Sequence, residues 1–170
     1  LDSGTVSPDR FGKPFVFGSI GFVAYATSSN PTAEALSSTT DATAGHVVSL
    51  NTVGVTLTLT TGTLLCPRDG LYRCRLALGI VSAATGGATT TMLFAIQKNA
   101  AALTNVCTAE ILQDTTNAKF GSLGCEQVVS LAKGDLIRCV VTGVAGGIIT
   151  IGNGNLSIEQ LSDATAFTQV

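Results

Sequence analysis

The stretch Gly62-Thr63-Leu64-Leu65-Cys66-Pro67-Arg68-Asp69-Gly70-Leu71-Tyr72-Arg73-Cys74-Arg75-Leu76-Ala77-Leu78-Gly79-Ile80 decides the fold. Its second half alternates. Tyr72, Cys74, Leu76, Leu78 and Ile80 fall on one face of an extended chain, and Arg73 and Arg75 fall on the other. A period of two with an apolar side is a half-buried β-strand. Ahead of it, Cys66-Pro67-Arg68-Asp69-Gly70 reads as a turn, because Pro presets one dihedral and Gly tolerates a left-handed one.

The same pattern continues outward in both directions. Upstream, Val55, Leu57 and Leu59 alternate with Thr56, Thr58 and Thr60, placing β-branched residues on the wet face. Downstream, Met92, Phe94 and Ile96 share one face of Thr90–Lys98, and Leu103–Leu112, Phe120–Leu131, Leu136–Thr142 and Ile148–Leu161 complete the set. Turn signals at Lys98-Asn99, Lys133-Gly134-Asp135, Gly146-Gly147 and Asn153-Gly154 separate them. Near the start, Phe15, Phe17, Ile20, Phe22 and Val23 supply a first strand region. The Ser/Thr/Ala-rich segment Ala26–Gly45 is expected to be a loop with one helical turn around Glu34. No amphipathic helical period lasts beyond about two turns. The expected architecture is all-β: a two-sheet jelly-roll sandwich of about ten strands. Residues 1–14 form an extended N-terminal arm, 15–161 the jelly-roll domain and 162–170 a tail.

Composition narrows the function. Nine basic and eleven acidic residues make 12% of the 170, about half the share in an average soluble domain. Hydrophobic residues reach 45%, which excludes a disordered chain. A net charge of −2 argues against nucleic acid, which needs a basic surface. The charge-free runs Leu76–Gln97 and Cys139–Ile158 are rich in Gly, Thr and Asn, so they read as strands and turns and no membrane span is expected. Leu1–Arg10 has neither the basic start nor the apolar stretch of a signal peptide. Five cysteines (Cys66, Cys74, Cys107, Cys125 and Cys139) show no CxxC and an odd count. They are expected to be free, buried thiols, consistent with assembly in a reducing cytoplasm.

Residues 62–72 also resemble a family pattern, Gly-x-Phe-x-Cys-Pro-x-x-Gly-x-Tyr. It belongs to the globular head of the complement recognition protein and its relatives, a jelly roll shared with tumour necrosis factor. Further pieces follow in order. Gly21–Ala26 resembles the opening strand, Asn51-Thr52-Val53-Gly54 an Asn-x-x-Gly turn, and Ala95-Ile96-Gln97-Lys98-Asn99 a hairpin with Ala100 in place of Gly. Leu131-Ala132-Lys133-Gly134-Asp135 resembles a Leu-x-x-Gly-Asp turn, and Leu156–Leu161 the closing strand. The resemblance spans about residues 21 to 161. It implies two five-stranded sheets and a tight homotrimer, with the Arg73/Arg75 strand in the sheet facing the threefold axis. Arg73 and Arg75 are therefore candidate trimer-interface residues.

Catalytic chemistry has little to build on. His46 is the only histidine, no Gly-x-Ser-x-Gly elbow occurs, and carboxylates are scattered singly at Asp41, Asp69, Glu110, Asp114, Glu126, Asp135 and Glu159. No enzyme activity, metal or cofactor is expected. What remains is a module that makes surfaces. The expected role is a trimeric decoration or cement protein on the virion surface of a virus or phage. It would be assembled in the host cytoplasm and bind the major capsid protein or another virion protein. The arm, through Phe11, Phe15 and Phe17, is the candidate partner-binding element. The alternatives are a receptor-binding tip of a phage fibre or a secreted complement-type recognition domain.

Overall fold

The computed structural model describes residues 16–26, 34–37, 46–83, 90–99, 104–113, 121–142 and 149–163. Among them are eleven strands and no helix. In chain order these are β1 (Phe17–Ala26), β2 (Glu34–Ala35), β3 (His46–Val53), β4 (Thr56–Thr58), β5 (Thr63–Leu65), β6 (Gly70–Ala83), β7 (Thr90–Lys98), β8 (Thr104–Gln113), β9 (Gly121–Leu131), β10 (Leu136–Thr142) and β11 (Ile149–Ser162). They build two antiparallel sheets, β3-β1-β11-β6-β9 and β4-β5-β10-β7-β8, with the short β2 beside β10. Strands adjacent in sequence mostly lie in opposite sheets; only β4–β5 and β7–β8 are hairpins within one. This wrapping is the jelly roll expected from the sequence.

The alternation in β6 is what aligns the two layers. Tyr72, Cys74, Leu76, Leu78 and Ile80 are all buried, while Arg73 and Arg75 are exposed. Burying each large apolar side chain stabilises by roughly 1.5–3 kcal/mol, so slipping the register by one residue would forfeit the whole set. Opposite them, Leu64, Phe94, Ile96, Ile137, Cys139 and Val141 of the second sheet close the same core. On β4 and in the turn that follows it the threonines point outward as expected: Thr56, Thr58 and Thr60 are exposed, and Leu57 and Leu59 pack against the core.

The Cys-Pro-x-x-Gly-x-Tyr turn acquires a physical meaning here. The Arg68 carbonyl accepts hydrogen bonds from both the Cys66 thiol, at 3.1 Å, and the Tyr72 hydroxyl, at 2.8 Å. The motif's first and last residues thus satisfy one carbonyl in the bend between them. Gly70 is required by close approach: a Cβ there would lie 2.4 Å from the Ser162 carbonyl oxygen and 2.5 Å from Gln160 Nε2.

Two local expectations are corrected. Glu34 lies in β2, not in a helical turn, and pairs with Val141 while Ala35 pairs with Val140. The cause is a backbone requirement. β5 covers only Leu136–Arg138 of the β10 edge, and β2, with Leu36 N donating to Cys139 O at 3.0 Å, covers the rest. The Asn51–Gly54 segment is strand through Val53, and only Gly54, at φ 74°, turns.

The cysteines divide. Cys66, Cys74 and Cys139 are free and buried as expected, but Cys125 is disulfide-bonded. It sits on β9, an edge of one sheet beside β8, the edge of the other, so linear spacing says nothing about a bond made there. The Cys107 side chain and the proposed arm, with Phe11 and Phe15, lie outside the described residues.

Candidate interaction surface

The outer face of the five-stranded sheet follows from strand register, because residues directly opposite in an antiparallel ladder share a face. One row across the sheet reads Val53, Phe17, Glu159, Arg73, Val128. The next reads Ser19, Ser157, Arg75, Glu126. Beyond it come Gly21, Asn155, Ala77, Gly124 and then Val23, Asn153, Gly79, Ser122. One end of the face is therefore built from large or charged side chains and the other from small ones. The structure places Phe17 in this face, within β1 and half-buried, so it belongs to the sheet and not to an arm.

The small residues leave two adjoining depressions. One, of 320 Å³, lies between Arg75, Ala77, Gly124, Cys125 and Glu126. The other, of 280 Å³, shares Ala77 and runs past Gly79 and Ser122 to Asn153 and Asn155. Val23, 45% exposed, stands proud at the far side of the same face. Ser19 is buried, and its hydroxyl has no hydrogen-bond partner among the described residues.

The two arginines behave differently. Arg73 is held between two carboxylates of its own chain, Glu126 at 3.4 Å and Glu159 at 3.3 Å. Among the described residues Arg75 has no hydrogen-bond or ion-pair partner, although Glu126 stands opposite it in the ladder and helps line the same depression. The sequence places both arginines on one outward face, as observed. It gives no sign that Glu126 and Glu159 converge on Arg73, because Glu159 is 86 positions away and strand order alone brings it near. His46 opens the edge strand β3. Among the described residues no group of three His, Cys, Asp or Glu side chains is placed to hold a metal, and no helix is long and apolar enough to cross a membrane.

A second polar cluster ties three turns together at one end of the sandwich. The Asp135 carboxylate accepts from the Ala132 amide at 2.8 Å and Asn99 Nδ2 at 2.7 Å, and pairs with Lys98 Nζ at 2.9 Å. Burial alone would raise this carboxyl, but those three donors together hold it below the ordinary carboxylate value. Cys66 N donates to Asp135 O at 2.8 Å, and Gly134 N to Cys66 O at 2.9 Å. Asn99 adopts φ 55°, and its Oδ1 accepts from Leu136 N at 2.9 Å. Burial raises the thiols of Cys66 and Cys74, the latter to about 12, and that of Cys139 as well. All three thiols pack in the core.

No protein-family model and no curated protein sequence matches the chain. Solved structures do. The Eiger tumour necrosis factor from S. frugiperda superposes with a TM-score of 0.59 over 93% of this chain and 99% of that one, at 15% identity. The chain thus has the tumour-necrosis-factor-like jelly-roll fold. At that identity the likeness speaks to the fold alone.

Proposed function

We propose that this chain is a non-catalytic structural protein, a homotrimer that decorates and stabilises the shell of a virus or phage at the virion surface. The observation that carries the reading is the outer face of the five-stranded sheet. It is broad and built at one end from Gly, Ala, Ser and Asn, and it carries a cation, Arg75, without a partner among the described residues. A face of that kind suits close contact with protein, and obligate interfaces dispense with charges that a monomer's surface needs. The chain's 12% charged residues accord with this. The homotrimer is also what the tumour-necrosis-factor-like fold favours. The disulfide at Cys125 removes the cysteine argument for cytoplasmic residence, but it suits a protein exposed on a particle, since virion surfaces are oxidising. Residues 1–14 are assigned to contact with the major capsid protein or another virion protein.

Electron microscopy of the particles that carry the chain tests the reading. A regular lattice of threefold knobs on the shell is expected. A few copies confined to a tail tip or vertex would replace decoration with receptor binding.

A further inference from the structure

The charges on the outer face do not cancel where they stand. Around Arg73, one guanidinium meets two carboxylates, leaving a surplus negative charge. One residue pair along the strand, Arg75 is a surplus positive charge with no partner among the described residues. Of the two carboxylates, Glu126 is the more accessible, at 49% against 34%, and it lies on the edge strand β9. It faces Arg75 directly in the ladder, yet its oxygen is engaged by Arg73 on the diagonal. The relief of the face is matched in the same sense, with a hollow at Ala77, Gly79 and Gly124 and a projection at Val23. A surface carrying both members of a charge pair, unpaired with each other, is complementary to another copy of itself.

We propose that Arg75 is the residue that recognises a second copy of this chain, by pairing with the carboxylate of Glu126 on that copy. Arg73 then has a different role. It is neutralised within its own chain and keeps Glu159 and Glu126 extended on the face. Arg suits the first role because its planar fork binds a carboxylate through two parallel hydrogen bonds. Covering Arg75 with a neighbour that offered no anion would strand a desolvated charge, so this residue selects against wrong registers as well as for the right one. The inference rests on the proposed self-association and names the contact that sets it.

Charge reversal across the pair tests it. Sedimentation velocity is run on the full chain, on Arg75→Glu, on Glu126→Arg and on the double swap, with circular dichroism melts confirming that each folds. The wild-type protein is expected to associate, each single reversal to weaken association by at least about tenfold, and the double swap to recover most of it. Arg75→Met, which removes charge but keeps the stem, should weaken association less than Arg75→Glu. Glu159→Gln should leave it within about twofold. A monomeric wild-type protein would overturn the self-association reading itself. An oligomer indifferent to Arg75→Glu would leave that reading standing and overturn the role of Arg75. Loss in both singles without recovery in the double swap would overturn the pairing with Glu126.

Discussion

Two polar regions of this molecule use their charges in opposite ways. At the turn cluster, the Asp135 carboxylate, the Asn99 amide and the Arg68 carbonyl all find partners within the chain, and those partners come from three different turns. On the outer face of the five-stranded sheet, Arg73 is over-supplied with carboxylates while Arg75 has none among the described residues. The first region is closed and belongs to folding. The second is open, and its imbalance is what a partner can complete. Buried, satisfied polar networks hold a fold in one arrangement; exposed, unsatisfied ones are where recognition is looked for.

Mutation should separate the two regions by size of effect. Asp135→Ala removes an acceptor shared by the Ala132 amide, Asn99 and Lys98, and urea unfolding should show a loss of about 2–4 kcal/mol. The same carboxyl gives the wild-type protein an acid limit. Its value is depressed in the folded state, so its contribution is present above the unfolded value near pH 4 and is lost as pH falls through the folded one. Asp135→Ala should therefore flatten the fall in melting temperature below about pH 4. A parallel fall in both proteins would remove Asp135 from the acid response.

Tyr72→Phe is a smaller change at the same end of the sandwich. It removes the hydroxyl donor to the Arg68 carbonyl and keeps the Cys66 thiol, a weak donor, and should cost about 1–1.5 kcal/mol. Thiol chemistry probes the core behind it. Cys66, Cys74 and Cys139 should resist alkylation at pH 8 in native protein and react promptly in denaturant, because burial raises all three. Rapid native labelling would mean the sandwich opens far more readily than its packing implies. The smallest effect belongs to the open face. In the dissociated chain Arg73→Met should change stability by no more than about 0.5–1 kcal/mol, since its ion pairs are solvent-exposed.

How much of this was legible in the sequence depends on how local each feature is. The β6 alternation, the Thr ladder of β4 and the turns at Lys98-Asn99 and Lys133-Gly134-Asp135 lie within a few residues, and the structure agrees with them. The outward placement of Arg73 and Arg75 followed from the same period of two. Features made by strand order were not legible. Glu126 and Glu159 reach Arg73 only because β9 and β11 flank β6, and the disulfide at Cys125 sits where the edges of two sheets meet. Glu34 misled for a related reason: a Ser/Thr/Ala segment carries no strand pattern of its own, and the exposed edge of β10 imposes one. The Cys-Pro-x-x-Gly-x-Tyr spacing is visible in the sequence, but its cause, one carbonyl shared by Cys66 and Tyr72, arises only in the folded turn.

On the reading proposed above, further copies of the chain complete the open face. Sedimentation equilibrium at micromolar concentration tests it most directly. A mass near three times 17.2 kDa is expected, dissociating on dilution or on charge reversal at Arg75. A single species of 17.2 kDa across the whole concentration range would contradict it.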